Sequence, residues 1–191
     1  TPGSKIRRSA RRIIYAYTNN AWIGGRTMAL KNVINIGKIP GKLYLRFIKT
    51  VGRFNMPWYL ERYVAYLRKH GMDIEGMPQY IATSVQFDGK DFSRIHIGDK
   101  SVLSSDVRVL THDYSIARAL DAIGEDMTLE AYFVRDVRIG KNCFIGNRAI
   151  LMPGTDIGDN VIVGAGSVVR GKVAANSMVI GNPHVVIGDT L

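Results

Sequence analysis

"IGKNCFIGNRAILMPGTDIGDNVIVGAGSVV", residues 139–169, repeats itself every six positions. Ile139, Ile145, Leu151, Ile157, Val163 and Val169 stand in one phase, and Ile97, Leu103 and Val109 stand in the same phase before an interruption. Glycine follows five of these nine aliphatics, as Gly98, Gly140, Gly146, Gly158 and Gly164. Four places after each aliphatic come small or β-branched residues: Ser101, Val107, Cys143, Ala149, Thr155, Val161, Ser167 and Val173, with Asp113 the exception at the break. A period of six matches neither the 3.6 of a helix nor the alternation of a hairpin, but it suits short strands joined by tight corners. One aliphatic per strand predicts a narrow axis, the glycine is read as permitting a strained corner, and the small slot fits where interior space is limiting. Three strands close a triangular coil of about 18 residues, and stacked coils pair as parallel strands about 4.8 Å apart. A sandwich of antiparallel strands spaces its turns irregularly, roughly 8–12 residues apart, and does not keep nine positions in phase.

The pattern stops inside "VRVLTHDYSIARALDAIGEDM", residues 107–127, directly after His112. Of the other histidines, His70 precedes Gly71 at a predicted helix end, where a cation suits the dipole; His96 lies in a strand beside Ile97 and His184 in the tail. Only His112 stands at the interruption. The single cysteine, Cys143, falls in a small interior slot, which predicts packing rather than nucleophilic chemistry, and one cysteine excludes an intrachain disulfide or a CxxC metal site. "GAGSVV" has the glycines of a dinucleotide loop but no helix pattern behind it.

The stretch from Ile139 to Val169, followed by "VIGNPHVV" at residues 179–186, resembles the hexapeptide-repeat acyltransferases, among them the galactoside and maltose acetyltransferases and the O-acetyltransferases of capsular and exopolysaccharide synthesis. The resemblance covers about residues 74–187. It implies a mainly β fold, a left-handed parallel β-helix, whose hand is opposite to the general crossover rule. It also implies that a loop leaves the column after a histidine that serves as general base, a role carried by His112 with residues 113–136 as the loop. An alcohol attacks a thioester only as a base removes its proton, and imidazole, with a reference pKa of about 6.5, suits that work near neutrality. Direct transfer from acetyl-CoA, as donor substrate, to an acceptor hydroxyl follows, with backbone N–H groups of a neighbouring coil steadying the oxyanion. Asp88 and Asp113 are both candidates to orient the imidazole.

By the same resemblance CoA lies in a groove between subunits of a homotrimer, with Asn147 and Ala165 at contacting positions. Arg170-Gly171 replaces the family's Thr-Lys after "GAGS", displacing Lys172 by one, and Arg170 is available to the nucleotide phosphates as a fixed cation. Gly188 and Asp189 stand where a basic residue is expected near the C-terminus. Thr83-Ser84 replaces an Asn-rich acceptor stretch and Phe144 replaces a Trp, so a simple galactoside acceptor is not supported; Ser84 and Tyr114 remain acceptor candidates, and "THDYS" looks more like the polysaccharide-modifying branch. No metal is expected.

Residues 1–70 carry 15 Lys/Arg against one acid, Glu61, whereas residues 71–191 carry 11 bases and 15 acids, so the net charge of +10 splits into +14 and −4. Residues 1–73 read as a basic, largely helical extension and 74–191 as the β-helix domain. Residues 5–17 set Ile6, Ala10, Ile13, Ile14 and Tyr17 against Arg7, Arg8, Arg11 and Arg12. Residues 42–54 set Leu43, Phe47, Ile48, Val51 and Phe54 against Lys42, Arg46, Lys49 and Arg53. A third helix is predicted from about Pro57 to Gly71 with Leu60, Val64 and Leu67 inward. Such basic amphipathic helices suit an anionic membrane surface, through residues 1–56, as well as they suit packing on the prism; no nucleic-acid-binding motif is present. Without a secretory signal or an apolar run of 18 residues, a cytoplasmic location is expected, at the inner face of a membrane if the extension binds one. The leading reading is a saccharide O-acetyltransferase of surface polysaccharide synthesis. The alternatives are an N-acetyltransferase of an amino sugar nucleotide and a noncatalytic scaffold; a metal-dependent hydratase on the same prism would need more histidines from adjacent coils.

Overall fold

The computed structural model describes residues 41–52, 54–89, 92–124 and 132–191. The helix predicted over residues 5–17 lies outside them.

From Asp73 onward the chain winds as a column of short strands. Its first coil is β1 (Asp73–Ile74), β2 (Tyr80–Ile81) and β3 (Gln86–Phe87), and its second is β4 (Ile95–Ile97), β5 (Val102–Leu103) and β6 (Arg108–Val109). An excursion follows: β7 (His112–Asp113), α3 (Ser115–Ala122) and β8 (Phe133–Val134). The winding resumes with β9 (Val137–Ile139), β10 (Phe144–Ile145) and β11 (Ile150–Leu151), then β12 (Asp156–Ile157), β13 (Ile162–Val163) and β14 (Val168–Val169). It ends with β15 (Lys172–Val173), β16 (Ser177–Ile180) and β17 (Val185–Asp189). Stacking produces three parallel sheets: β1-β4-β9-β12-β15 (sheet A), β2-β5-β10-β13-β16 (sheet B) and β3-β6-β11-β14 (sheet C). β17 turns back antiparallel on β16, a strand outside the hexapeptide period.

The nine in-phase aliphatics form the axis, each at most 3% exposed. The slots four places later, Ser101, Val107, Cys143, Ala149, Thr155, Val161, Ser167 and Val173, are buried as well. Polar members of this set are paired inside the column. Ser101 Oγ donates to Gly140 O at 2.7 Å and accepts from Cys143 N at 3.0 Å, and Thr155 Oγ1 reaches Met152 O and Val169 O at 2.7 and 2.9 Å. Burial pushes the Cys143 thiol above its ordinary pKa, which suits a packing role.

The glycines after the aliphatics do not supply strained corners. Gly98, Gly140, Gly146, Gly158 and Gly164 are absent from the positive-φ positions, which belong instead to Lys100, Asp106, Asn142, Arg148, Asn160 and Asn176 and to other glycines such as Gly154 and Gly166. What the five glycines provide is clearance. A methyl on Gly98 would stand 2.5 Å from the backbone of Gly140 and Lys141 in the next coil, and one on Gly146 would stand 2.6 Å from Ala165 N. Asparagine tolerates the left-handed corner, and here it also links coils: Asn142 Nδ2 donates to Asn160 Oδ1 at 2.9 Å and Asn160 Nδ2 to Asn176 Oδ1 at 2.8 Å.

Among the described residues, two helices precede the column, α1 (Gly41–Val51) and α2 (Met56–Lys69). Asn55 caps α2, accepting from Trp58 N at 3.2 Å, and Pro57 sits in the first turn, as the sequence predicts. Leu60, Val64 and Leu67 face inward as expected, joined by Tyr59 and Tyr63, and this face continues into the hydrophobic core containing Ile74 and Ile81. Over residues 42–54 the helix stops at Val51, so Phe54 lies in the turn that follows it. Of the apolar set, Ile48 is buried at 0% exposure, whereas Leu43, Phe47 and Phe54 are 59, 42 and 86% exposed. A two-helix layer covers only one strip of α1, so the wide apolar face is mostly left out.

Candidate active site

Sheet C runs between two corners of the prism, and the candidate site is built at its far end. The register Val109↔Leu151↔Val169 stacks the residues that leave β6, β11 and β14, so His112 and Arg170 emerge from the same corner two coils apart. One coil below, Asp88 leaves β3, with its N–H bonded to Val109 O at 3.0 Å.

That stacking brings Asp88 under the turn carrying the histidine. Asp88 Oδ2 accepts from Thr111 N at 3.0 Å, Thr111 Oγ1 at 3.3 Å and His112 N at 3.3 Å, and pairs with His112 Nδ1. The carboxylate is 13% exposed and the imidazole 34%. An ionised Asp88 can only accept, so Nδ1 carries the proton and Nε2 carries the lone pair available to a substrate. Of the two carboxylates, Asp88 is the one paired with the imidazole. Asp113 turns away: its Oδ1 accepts from Ser115 N at 2.9 Å at the start of α3. The backbone and side-chain hydrogen bonds of Ser115 hold the Asp113 carboxyl below the ordinary range, with smaller contributions from the charges of Arg170 and His112.

The described parts of the excursion, residues 113–124 and 132–136, hold a helix and a strand pair. β7 and β8 pair antiparallel, His112 opposite Val134 and Asp113 opposite Phe133, and Arg135 N donates to Thr111 O at 2.9 Å. This hairpin returns aromatic residues to the histidine. Tyr114 lies edge-on to the imidazole at 5.1 Å, Tyr132 at 6.5 Å, and the two tyrosine rings are 4.9 Å apart. Tyr132 was not legible as a site residue, since nothing in the repeat indicates that the chain comes back beside His112.

The remaining candidates divide between positions. Asn147 and Ala165 lie together at the opposite corner of sheet C, where Gly166 N donates to Asn147 O at 2.8 Å, and both side chains are exposed. Ser84 belongs to that corner too, its Oγ accepting from Asp106 N at 3.0 Å; it stabilises a left-handed turn rather than joining His112. Lys172 is around the histidine corner on sheet A, in register with Asp156. His184 approaches Arg170 N with Nδ1 at 3.5 Å. His70 caps α2 with Nδ1 at 2.8 Å from Tyr66 O, and His96 pairs with Asp73 at 3.0 Å. Among the described residues, no three His, Cys, Asp or Glu side chains gather as a metal-binding group.

A column of short strands recurring every six residues, with a histidine presented at a sheet corner, defines a class. Residues 136–171 match the family described as bacterial transferase hexapeptide (six repeats). Over 99 residues the chain is 33% identical to WbbJ of Escherichia coli (strain K12), provisionally named a lipopolysaccharide biosynthesis O-acetyl transferase, covering 49% of each chain. Over 93 residues it is 30% identical to the galactoside O-acetyltransferase of the same organism, covering 49% of this chain and 43% of that one. The chain thus spans about half the length of the curated relatives it matches. A solved galactoside acetyltransferase in complex with coenzyme A superposes with a TM-score of 0.53 at 20% identity, covering 79% of this chain and 81% of that one. The column is therefore a left-handed parallel β-helix. It carries the hexapeptide repeat of the bacterial transferases, in line with the resemblance read from Ile139 to Pro183.

Proposed function

We propose that the chain is an acetyl-CoA-dependent O-acetyltransferase acting on a saccharide hydroxyl in surface polysaccharide synthesis. The observation that carries the reading is the Asp88–His112 pair at the sheet C corner, with Nε2 left to meet an acceptor. The relatives add a sugar-modifying context through their names, and one structural neighbour was solved with coenzyme A.

In the proposed reaction Nε2 of His112 takes the acceptor hydroxyl proton as the oxygen attacks the acetyl carbonyl, and the CoA thiolate leaves. Backbone N–H groups steady the oxyanion, and Asp88 steadies the imidazolium. Tyr114 and Tyr132 offer ring faces beside the reacting centre, suited to the apolar face of a sugar. Arg170 near this corner and Asn147 with Ala165 at the other end of sheet C flank the path proposed for CoA. A homotrimer is part of the proposal, because in this reading the groove takes its second wall from another subunit. Exposed Phe144 and Ile162 on sheet B, together with Val185 and Val186 on β17, supply an apolar face for such association.

The test is thiol release from acetyl-CoA across a panel of saccharides and amino sugar nucleotides, with the parent chain and His112→Ala. Transfer to hydroxyl acceptors that falls about 10²-fold or more in the variant, with CoA binding kept, supports the assignment. Preference for amines would favour the N-acetyltransferase alternative, and indifference to His112→Ala would favour a scaffold.

A further inference from the structure

We propose that the exposed face of α1 and the α1–α2 turn is a docking surface for an anionic lipid membrane. Leu43 and Phe47 stand one turn apart on α1, and Phe54 follows in the turn, at 59, 42 and 86% exposure. Phe47 meets Trp58 edge-on at 6.2 Å, and the Arg62 guanidinium lies 5.9 Å from the Trp58 ring centroid. Arg46 and Arg62 are both exposed. The surface thus sets aliphatic and aromatic tips on α1 and the turn after it beside the exposed Arg46 and the Arg62 held over Trp58, while another strip of α1 buries Ile48 in the core.

Single exposed apolar side chains are ordinary, but a contiguous strip is not. Lipid matches each part of it: the apolar tips enter the boundary between headgroups and acyl chains, and the guanidinium groups meet phosphates. With 11 residues, α1 is about 16 Å long, against roughly 30 Å of hydrocarbon, so it lies in the interface plane rather than crossing it. The sequence supplies the long-range attraction, with 15 Lys/Arg and one acid in residues 1–70. Nucleic acid would use these cations but gives a phosphate backbone no use for Leu43 or the Phe54 tip.

The experiment is flotation of the full chain with phosphatidylcholine vesicles and with phosphatidylcholine–phosphatidylglycerol vesicles, repeated at raised salt. The chain has two tryptophans, so Trp22→Phe leaves Trp58 as the local reporter. The expected result is binding to the anionic vesicles alone, release by salt, and a blue shift of Trp58 emission on binding. Phe47→Ser with Phe54→Ser is expected to weaken binding at least about tenfold with an unchanged melting temperature, and Arg46→Glu with Arg62→Glu to weaken it likewise. Equal binding to neutral vesicles, or anionic binding untouched by both double variants, overturns the proposal. So does displacement from vesicles by an oligonucleotide, a change in solution mass in the serine variant, which would mean a second copy covers the face, or a marked loss of its stability, which would mean the chain's own residues do. None of these readouts needs transfer activity, so the proposal stands or falls separately from the reaction.

Discussion

In the proposed mechanism Asp88 acts through His112 rather than on substrate, so its removal has a distinctive signature. Asp88→Ala is expected to lower kcat roughly 10²-fold while leaving the KM for acetyl-CoA unchanged, because the imidazole loses its fixed tautomer but the CoA groove is untouched. Steady-state kinetics with each substrate varied checks this, and an Asp88→Ala chain that kept its kcat would remove the pair from the mechanism. Tyr132→Ala should act differently, raising the KM for acceptor more than that for acetyl-CoA, if the ring faces the sugar. Asp113 carries a pH effect. Its carboxyl is held below the ordinary range in the folded chain by Ser115, so the stabilisation is present above the unfolded-state pKa and is lost as pH falls through the lower folded value. Asp113→Asn is expected to flatten that acid limb of a melting-temperature profile without changing the plateau shape above it. That the chain leaves the column at His112 was legible from the interrupted repeat. The choice of Asp88 over Asp113 was not, because 24 residues separate Asp88 from His112 and only coil stacking makes them neighbours.

Among the elements, the glycine slot distinguishes two kinds of constraint. Gly98→Ala drives a methyl into the backbone of the next coil, whereas Gly166→Ala meets nothing within 4 Å but must hold φ at +70°. Urea unfolding is expected to show a cost of about 1–2 kcal/mol for Gly166→Ala, from the left-handed backbone alone, and a larger one for Gly98→Ala, where two coils must separate. Similar costs at both sites would count against the stacking explanation. Leu151→Ala, at the axis, is expected to cost about 2–5 kcal/mol. The period of six identified the column strands from Ile97 to Val169, yet the first coil escaped it, as did β15 and β16, whose phase shifts after Val169. Ile74, Ile81 and Phe87 are spaced seven and six apart, and the stretch from Asp88 to Arg94 lengthens the next corner, so the phase is lost there although the pairing continues. β17 escaped for another reason: a strand that folds back antiparallel on an edge follows no coil spacing.

At the scale of the whole molecule, the proposed trimer makes a prediction that belongs to no single residue. Phe144→Glu with Ile162→Glu places charge on sheet B, two rungs of the apolar outer face, and is expected to reduce the solution mass toward that of one chain and to abolish transfer while the column stays folded. Sedimentation equilibrium with far-ultraviolet circular dichroism checks it, and an unchanged mass would move the interface elsewhere. The sequence by itself determined the column: its axis, its small slots and the place where the repeat is broken, because a one-dimensional period repeats the same local surroundings every coil. It also set the separation of charge between the first 70 residues and the rest. Only tertiary structure decided which carboxylate holds the imidazole, that Tyr132 returns to it, that α1 and the turn after it leave Leu43, Phe47 and Phe54 exposed, and that the glycines following the axial aliphatics serve clearance rather than turning. Each of these depends on what lies one coil or one helix away in space, and sequence distance carries no record of that until the chain is wound.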